Sequence, residues 1–437
     1  MTTRNLTPTR RALIAGLSAS AAGLLVGGAG PEGPVRLALH ARSAALQLRP
    51  GQPATAISEL GRLAFAGAVR VKRGDRCEVT LRNDLPVPVA PAWRGLDDAA
   101  AAEPLLGRAP IPAGTTGKST ISMPHAGTLL ADLRLFEDGL RQPVRPLAVI
   151  VEEAEPLAVD RDEVFLIEDW RLDADGSAMV PGSGGVAAAA VYTVNGTVAP
   201  DFTLRTNARL RLRFINGCQR AVIAAKIEGL EVMVMALDGQ PAEPFAARNG
   251  ALVLAPGGRA DVFLDWTAAT GATTPILIHD GKEARPVARF MTSTEPPVRP
   301  TRLPPPAPLP SNGLPAEFKL GAALRFDIAL DAAGWLHPTS FSPAFAPAFG
   351  VKAGRTVVLA VSNPGPIATV FHLHGHHFRL LDRLDDGWKP YWLDTLAVEP
   401  GQTARVAFAA DHPGRWLMES VATEWTAPRL VRWYAVE

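Results

Sequence analysis

The chain has 437 residues, with 44 Lys and Arg against 43 Asp and Glu and a formal charge of +1, and no long run of one sign, which excludes the electrostatic footprint of a nucleic-acid or polyanion binder. Its length and apolar content suit two to four domains, each with its own interior. The 39 Gly and 40 Pro fall between alternating apolar segments, the punctuation of a turn-rich β protein.

The N-terminus reads as an address. Arg10-Arg11 precede a weakly apolar, Ala/Gly-rich stretch to Val26, and Gly27-Gly28-Ala29 offers small residues for cleavage, so residues 1–29 are expected to be a twin-arginine (Tat) signal. That stretch is short and carries glycine, and no later segment has about 18 uninterrupted apolar residues. The expected mature protein is a periplasmic monomer without a membrane span. Cys77 and Cys218 are the only cysteines; they build no disulfide framework or Cys-x-x-Cys motif, and whether they are free is left open.

Three segments then repeat one design, a small turn followed by an alternating strand that ends on asparagine. They run from Lys72-Arg73-Gly74-Asp75 through Val79 and Leu81 to Asn83, from Asn207 through Leu210, Leu212 and Phe214 to Asn216, and from Ala353-Gly354 through Val357, Leu359 and Val361 to Asn363. Pro112-Ala113-Gly114, Pro256-Gly257-Gly258 and Pro400-Gly401 each introduce another alternating strand later in the unit. This is one β-sandwich used three times. The expected domains are 30–155, 156–294 and 316–437, with the proline-dense segment 295–315 as a stiff linker between the last two. The Ala-rich stretches at 98–102 and 186–190 read equally as short helices or loops.

Signatures of a family appear on this frame. Phe371-His372-Leu373-His374-Gly375-His376-His377-Phe378, then Asp394-Thr395, Pro400-Gly401 and Pro413-Gly414-Arg415-Trp416, resemble the last domain of multicopper oxidases in order and spacing. Asp169-Trp170, Val194-Asn195-Gly196, Arg209 to Arg213, Asp238-Gly239-Gln240-Pro241 and Arg259-Ala260-Asp261 look like that family's second domain. The resemblance implies an all-β chain of three cupredoxin-like Greek-key sandwiches, the first and third meeting at a trinuclear copper site.

Set against the family's motifs, the ligand positions depart from it. His-x-His-Gly is here Ala92-Trp93-Arg94-Gly95; His-x-His is Asp132-Leu133-Arg134; His-x-x-His-x-His begins at Thr369 and keeps only His372 and His374. The His-Cys-His motif becomes Glu419-Ser420-Val421, with Trp425 and Leu430 at the remaining type 1 positions. By this alignment the strong type 1 ligands (Thr369, Ser420 and Trp425 now stand there) are missing, and two of eight trinuclear histidines survive. A hydroxyl at Ser420 lacks the softness of a thiolate. Arg94 and Arg134 are permanent cations, and two unit charges at about 4 Å repel by about 4 kcal/mol at an effective dielectric near 20. A polar cluster of Arg94 and Arg134 with Asp132 and Glu419 is expected to hold the interface instead.

In an extended strand His372, His374 and His376 would share one face, a geometry open to a residual zinc, iron or manganese site beside Asp132 and Glu419; because the arginines oppose any cation, these histidines are expected to be packing remnants. His125 and His412 precede or occupy turns and read as structural, and Trp388, Tyr391 and Trp392 as packed aromatics. The resemblance extends to the Tat-exported, copper-free cell-division protein FtsP (SufI), which implies a non-catalytic scaffold or binding protein of the cell envelope with an unidentified envelope partner and no cofactor. The alternative is a divergent multicopper oxidase or other metal-dependent oxidoreductase using the residual histidines, and only there is copper expected.

Overall fold

A computed structural model of the chain describes residues 33–62, 67–182, 189–330, 334–382 and 387–437. The expected signal, residues 1–29, lies outside them, as do residues 186–188 of the second Ala-rich stretch. The first such stretch contains a short 3-10 turn, Ala100–Ala102. Among the described residues no helix is long and apolar enough to cross a membrane.

Everything else of weight is strand, organised as three pairs of sheets. Residues 35–152 form one sheet in the order Thr116–Ser122, Arg76–Asn83, Val35–Leu46, Thr55–Arg62, Val144–Arg145, and a second made of Val69–Lys72, Leu147–Glu152, Gly127–Asp132 and Ala92–Arg94. Residues 161–292 give sheets of six and five strands, and residues 324–436 sheets of four and five. Each pair closes on its own apolar core. In the second, Phe165, Phe214, Trp266 and Phe290 pack edge and face between the sheets.

The repetition seen in the sequence has a repeated physical cause. In each sandwich the opening strand runs parallel to the strand that ends on asparagine: Val35–Leu46 beside Arg76–Asn83, Arg161–Arg171 beside Ala208–Asn216, Leu324–Ala329 beside Arg355–Ser362. That asparagine is buried every time and ties the same three points. Asn83 donates to the carbonyls of Val87 and Ile111 and accepts from Leu85 N; Asn216 donates to Ala221 and Leu254 and accepts from Cys218 N; Asn363 donates to Ile367 and Val398 and accepts from Gly365 N. The second carbonyl in each set lies just before the Pro-containing turn, ending a strand at Leu254 and Val398 and a single bridge to Val89 at Ile111. One side chain thus satisfies three buried backbone groups and fixes where the two landmarks meet. Chain pairing and register make each unit a cupredoxin-like sandwich.

The strand Ala208–Asn216 is buried on both faces. Leu210, Leu212 and Phe214 enter the core, while Arg209, Arg211 and Arg213 are covered and paired with Asp265, Asp261 and Asp162. Segment 295–315 is irregular, and its proline-rich carbonyls serve as acceptors: Asn207 donates to Arg299 and Pro300, Arg209 to Leu303 and Pro304. Cys77 and Cys218 are both buried and free, so no bridge joins them.

Candidate functional site

The strand Ala92–Arg94 of the first sandwich, paired with Gly127–Asp132, meets Gly414–Ala422 and Arg429–Val436 of the third, and Thr369–Leu373 pairs with Gly414–Ala422. Between them lies a buried cluster of charge. His372 sits directly across from Glu419, whereas Ser420 is opposite Phe371 and Leu430. Alternation along a strand therefore sends Glu419 to the seam and Ser420 to the opposite face.

Glu419 is the centre. Arg94 Nη2 donates to its Oε1 and Oε2 at 2.9 and 3.0 Å, Arg429 Nη1 donates to Oε2, and His374 Nε2 lies 2.9 Å from Oε1. On its other side His374 Nδ1 is 2.9 Å from Glu103 Oε1, so both ring nitrogens donate to carboxylates and the ring is an imidazolium. Burial alone would push His374 toward neutrality; Glu103 and Glu419 overcome it and raise its pKa to about 9. Burial opposes ionisation of Glu419 as well, but Arg94 and Arg429 hold its carboxyl well below the usual range.

Asp132 and Arg134 form a local pair, Nε and Nη2 reaching one carboxylate oxygen at 2.8 and 2.7 Å, with Arg94 Nε 3.7 Å away. Burial works against this charge too, yet Arg134, Arg94 and Arg429 bring the Asp132 pKa down to about 2. The remaining arm of Arg134 reaches the second sandwich, donating to the carbonyls of Gly217 and Cys218 at 3.3 and 2.9 Å. The four residues expected to cluster are thus together, with divided roles: Arg94 and Glu419 join the first and third sandwiches, while Arg134 joins the first to the second.

His372 is the one residue of the cluster left neutral. Its Nδ1 lies 3.0 Å from the Asp394 carbonyl and from Thr395 Oγ1; a carbonyl only accepts, so Nδ1 carries the proton and Nε2 the lone pair. Burial, reinforced by Arg94, takes its pKa to about 3. The space left beside Arg94, Arg134, Gln219, His372, Glu419 and Arg429 is a cavity of about 10 Å³, room for one water.

His376 does not share the face of His372 and His374. The strand ends at Leu373, and Gly375, at φ 73°, turns the chain. A Cβ there would lie 2.2 Å from the Trp416 ring. His376 instead packs in the third sandwich, its Nδ1 2.8 Å from Tyr434 Oη, and burial, with the neighbouring His412, takes its pKa to about 3. His377 turns to a second junction. Its Nδ1 lies 2.9 Å from both Asp97 oxygens of the first sandwich and its Nε2 donates to the Asp238 carbonyl of the second. Burial opposes its charge, and Asp97 raises its pKa to about 9. Beside it Arg259 donates twice to Asp394, at 2.8 Å each, and Asp238 accepts from the backbone of Arg259, Asp394 and Thr395.

The remaining positions singled out in the sequence carry no comparable network. Thr369 donates to the Ile367 carbonyl, Ser420 is buried, the Trp425 ring lies 4.3 Å beneath the Arg171 guanidinium, and Leu430 packs against the third core. His125 sits 3.5 Å from Asp97. Trp392 packs on Phe318, and Tyr391 stacks on Phe245.

Two family models described as multicopper oxidase match residues 161–274 and 318–437, more than half the chain. The chain belongs to the multicopper oxidase family. Among curated relatives, multicopper oxidase MmcO of Mycobacterium tuberculosis is 25% identical over 429 residues, covering 84% of this chain and 81% of that protein. Among solved structures, a multi-copper oxidase from Pseudomonas thermotolerans superposes with a TM-score of 0.77 at 24% identity over 92% of this chain and 99% of that one. Lac15, from a marine microbial metagenome, gives 0.75 at 25% identity over 92% and 100%.

This multicopper-oxidase-family chain also holds seam residues that the sequence reading missed: Glu103, Glu137, Arg220 and Arg429. Arg429 lies across from Val421 in register and contacts Glu137 at 3.6 Å, while Arg220 reaches Glu137 at 2.8 Å. None stands in a motif. A buried-charge pattern becomes visible only once strand pairing is known.

Proposed function

We propose that this chain is an exported, copper-free member of the multicopper oxidase family that acts as a non-catalytic scaffold or binding protein of the cell envelope, in the manner of FtsP. The observation that carries the reading is the commitment of Glu419 to three cations at once. Copper at the trinuclear positions needs imidazole lone pairs. His374 has both nitrogens turned to carboxylates, Arg94 and Arg134 have no lone pair to give, and Asp132 and Glu419 are saturated by guanidinium. Only His372 Nε2 is uncommitted, and one nitrogen does not hold a copper cluster. At the type 1 positions two hydroxyls, an indole N–H and a hydrocarbon offer no soft donor. The donor set does not fit copper at either place.

Export rests on Arg10-Arg11 and the apolar stretch behind them. The test is elemental analysis and a visible spectrum of Tat-exported protein, expected to give no stoichiometric copper and no blue band. Three to four coppers per chain, or an intense thiolate band, would overturn the proposal.

A second reading has one observation in its favour. Donor atoms of His372, His374 and Glu419 lie within 4.8 Å of one another, the spacing of a three-ligand site for zinc, iron or manganese. It requires His374 to lose its proton and Glu419 to release Arg94 or Arg429. Titration with zinc that leaves melting unchanged counts against it.

A further inference from the structure

We propose that the second sandwich carries a binding pocket for a small amphiphilic anion, a molecule with an apolar body and one acidic head. The pocket opens between the edge strands of its two sheets, Gln240–Ala246 and Ala251–Leu254, and is closed on one side by Tyr391, Leu393 and Thr395 of the third sandwich. Its volume is about 280 Å³, close to the lower end of small-molecule sites at roughly 300 Å³. It does not belong to the cluster around Glu419.

The lining fixes the chemistry of the occupant. Val234, Leu237, Phe245, Leu252 and Leu254 make apolar walls, and Tyr391 stacks on Phe245 with ring centroids 6.0 Å apart, offering a flat surface to a ring or an acyl chain. Two charged groups at the floor are already committed. Arg259 is bound by Asp394, and Asp238 takes three backbone N–H donors, so neither offers charge to a ligand.

The mouth is different. Arg248 is exposed, lines the pocket, and among the described residues has no carboxylate partner within 4.0 Å. It is held there by a short turn in which Asn249 and Gly250 take φ of 56° and 66°. Beside it Val253 is 72% exposed, a large apolar residue facing solvent at the entrance of an apolar cavity. An uncompensated guanidinium above apolar walls selects a body that leaves water and a head that is negative.

The test titrates the full chain with 8-anilinonaphthalene-1-sulfonate, with dodecanoate, and with dodecyltrimethylammonium, which keeps an apolar tail and reverses the head. Saturable binding of one dye per chain is expected, displaced by dodecanoate, with the cationic amphiphile binding at least tenfold more weakly. Arg248→Glu and Val253→Glu lie on the surface and should leave melting unchanged. Both are expected to weaken dodecanoate about tenfold, and Arg248→Glu to reverse the preference for the anionic head. Tyr391→Ala should weaken both amphiphiles alike. Equal affinity for the two heads, or dye binding that survives both surface variants, would overturn the proposal.

Discussion

Replacing Glu419 with Gln removes one charge while keeping the side chain's volume, and three cations then face one another. Arg94, Arg429 and His374 all depend on that carboxylate. Two unit charges at about 4 Å repel by about 4 kcal/mol at an effective dielectric near 20. His374 can escape by shedding its proton, because the carboxylate that helped raise its pKa to about 9 is gone and only Glu103 still favours the charged ring. The guanidinium groups have no such exit. The expected loss is about 3–5 kcal/mol, the range for a buried charge left without its partner. If residues Val35–Glu437 melt together at about 2.1 cal/mol/K per residue, Tm falls by roughly 4–6 °C, whereas a third sandwich melting alone would shift by roughly 12–20 °C. Calorimetry separates the two cases. The triple variant Arg94→Met, Glu419→Leu, Arg429→Met should be more stable than Glu419→Gln, because it removes Glu419 together with both of its guanidinium partners instead of stranding them, while His374 keeps Glu103, Arg134 keeps Asp132 and Arg220 keeps Glu137. A Glu419→Gln protein within about 0.5 kcal/mol of wild type would refute the reasoning.

Three further outcomes follow from the same geometry. His374 and His377 have pKa values raised to about 9, so the stability they supply is complete below about pH 6.5 and is lost as pH rises through 9; His372 and His376 are held near 3, so stability also falls as pH drops from about 6.5 toward 3. Each group contributes at most about 1.4 kcal/mol per pH unit, and urea midpoints should peak near neutrality, a flat profile from pH 5 to 9 being the contrary result. Asn216→Ala strands the carbonyls of Ala221 and Leu254 and the Cys218 N–H and should cost about 2–4 kcal/mol by urea unfolding, far more than a surface Asn→Ala. Gly127→Ala would set a Cβ 2.1 Å from the Gly239 carbonyl oxygen across the seam between the first and second sandwiches, at a φ of 153°; a loss of about 1–3 kcal/mol is expected, while Gly114→Ala, with open space around it, should cost only its backbone strain, and equal effects would show that this seam yields freely.

The fold was legible because its signals are local. Alternation at Val79 and Leu81, at Leu210 and Leu212, and at Val357 and Leu359 needs only a period of two, and the asparagine that closes each strand is a residue type with one job repeated three times. The seam was legible only where a motif marked it. Arg94, Asp132, Arg134 and Glu419 stand at positions the family's spacing identifies, but their pairing is a matter of register: nothing in sequence says that Arg94 meets Glu419 while Arg134 bends back to Asp132 and onward to Gly217. Glu103, Glu137, Arg220 and Arg429 lie outside every motif. The extended face assumed for His376 failed for a single backbone reason, the left-handed turn at Gly375.

What holds three sandwiches in one arrangement is a question of where directional contacts cross the seams. The first and third are joined through Arg94 to Glu419 and Glu103 to His374, the first and second through Arg134 to Gly217 and Cys218, and the second and third through Arg259 to Asp394. His377 touches both other sandwiches by itself, through Asp97 and the Asp238 carbonyl. Desolvating so many charges offsets much of their attraction, so these contacts add less to stability than their number suggests. Their effect is on geometry. A guanidinium bonded to a carboxylate tolerates little displacement, and an apolar seam such as Ala92, Leu135, Leu417 and Trp433 can slide at small cost, so the ion pairs decide register while the apolar contacts supply adhesion.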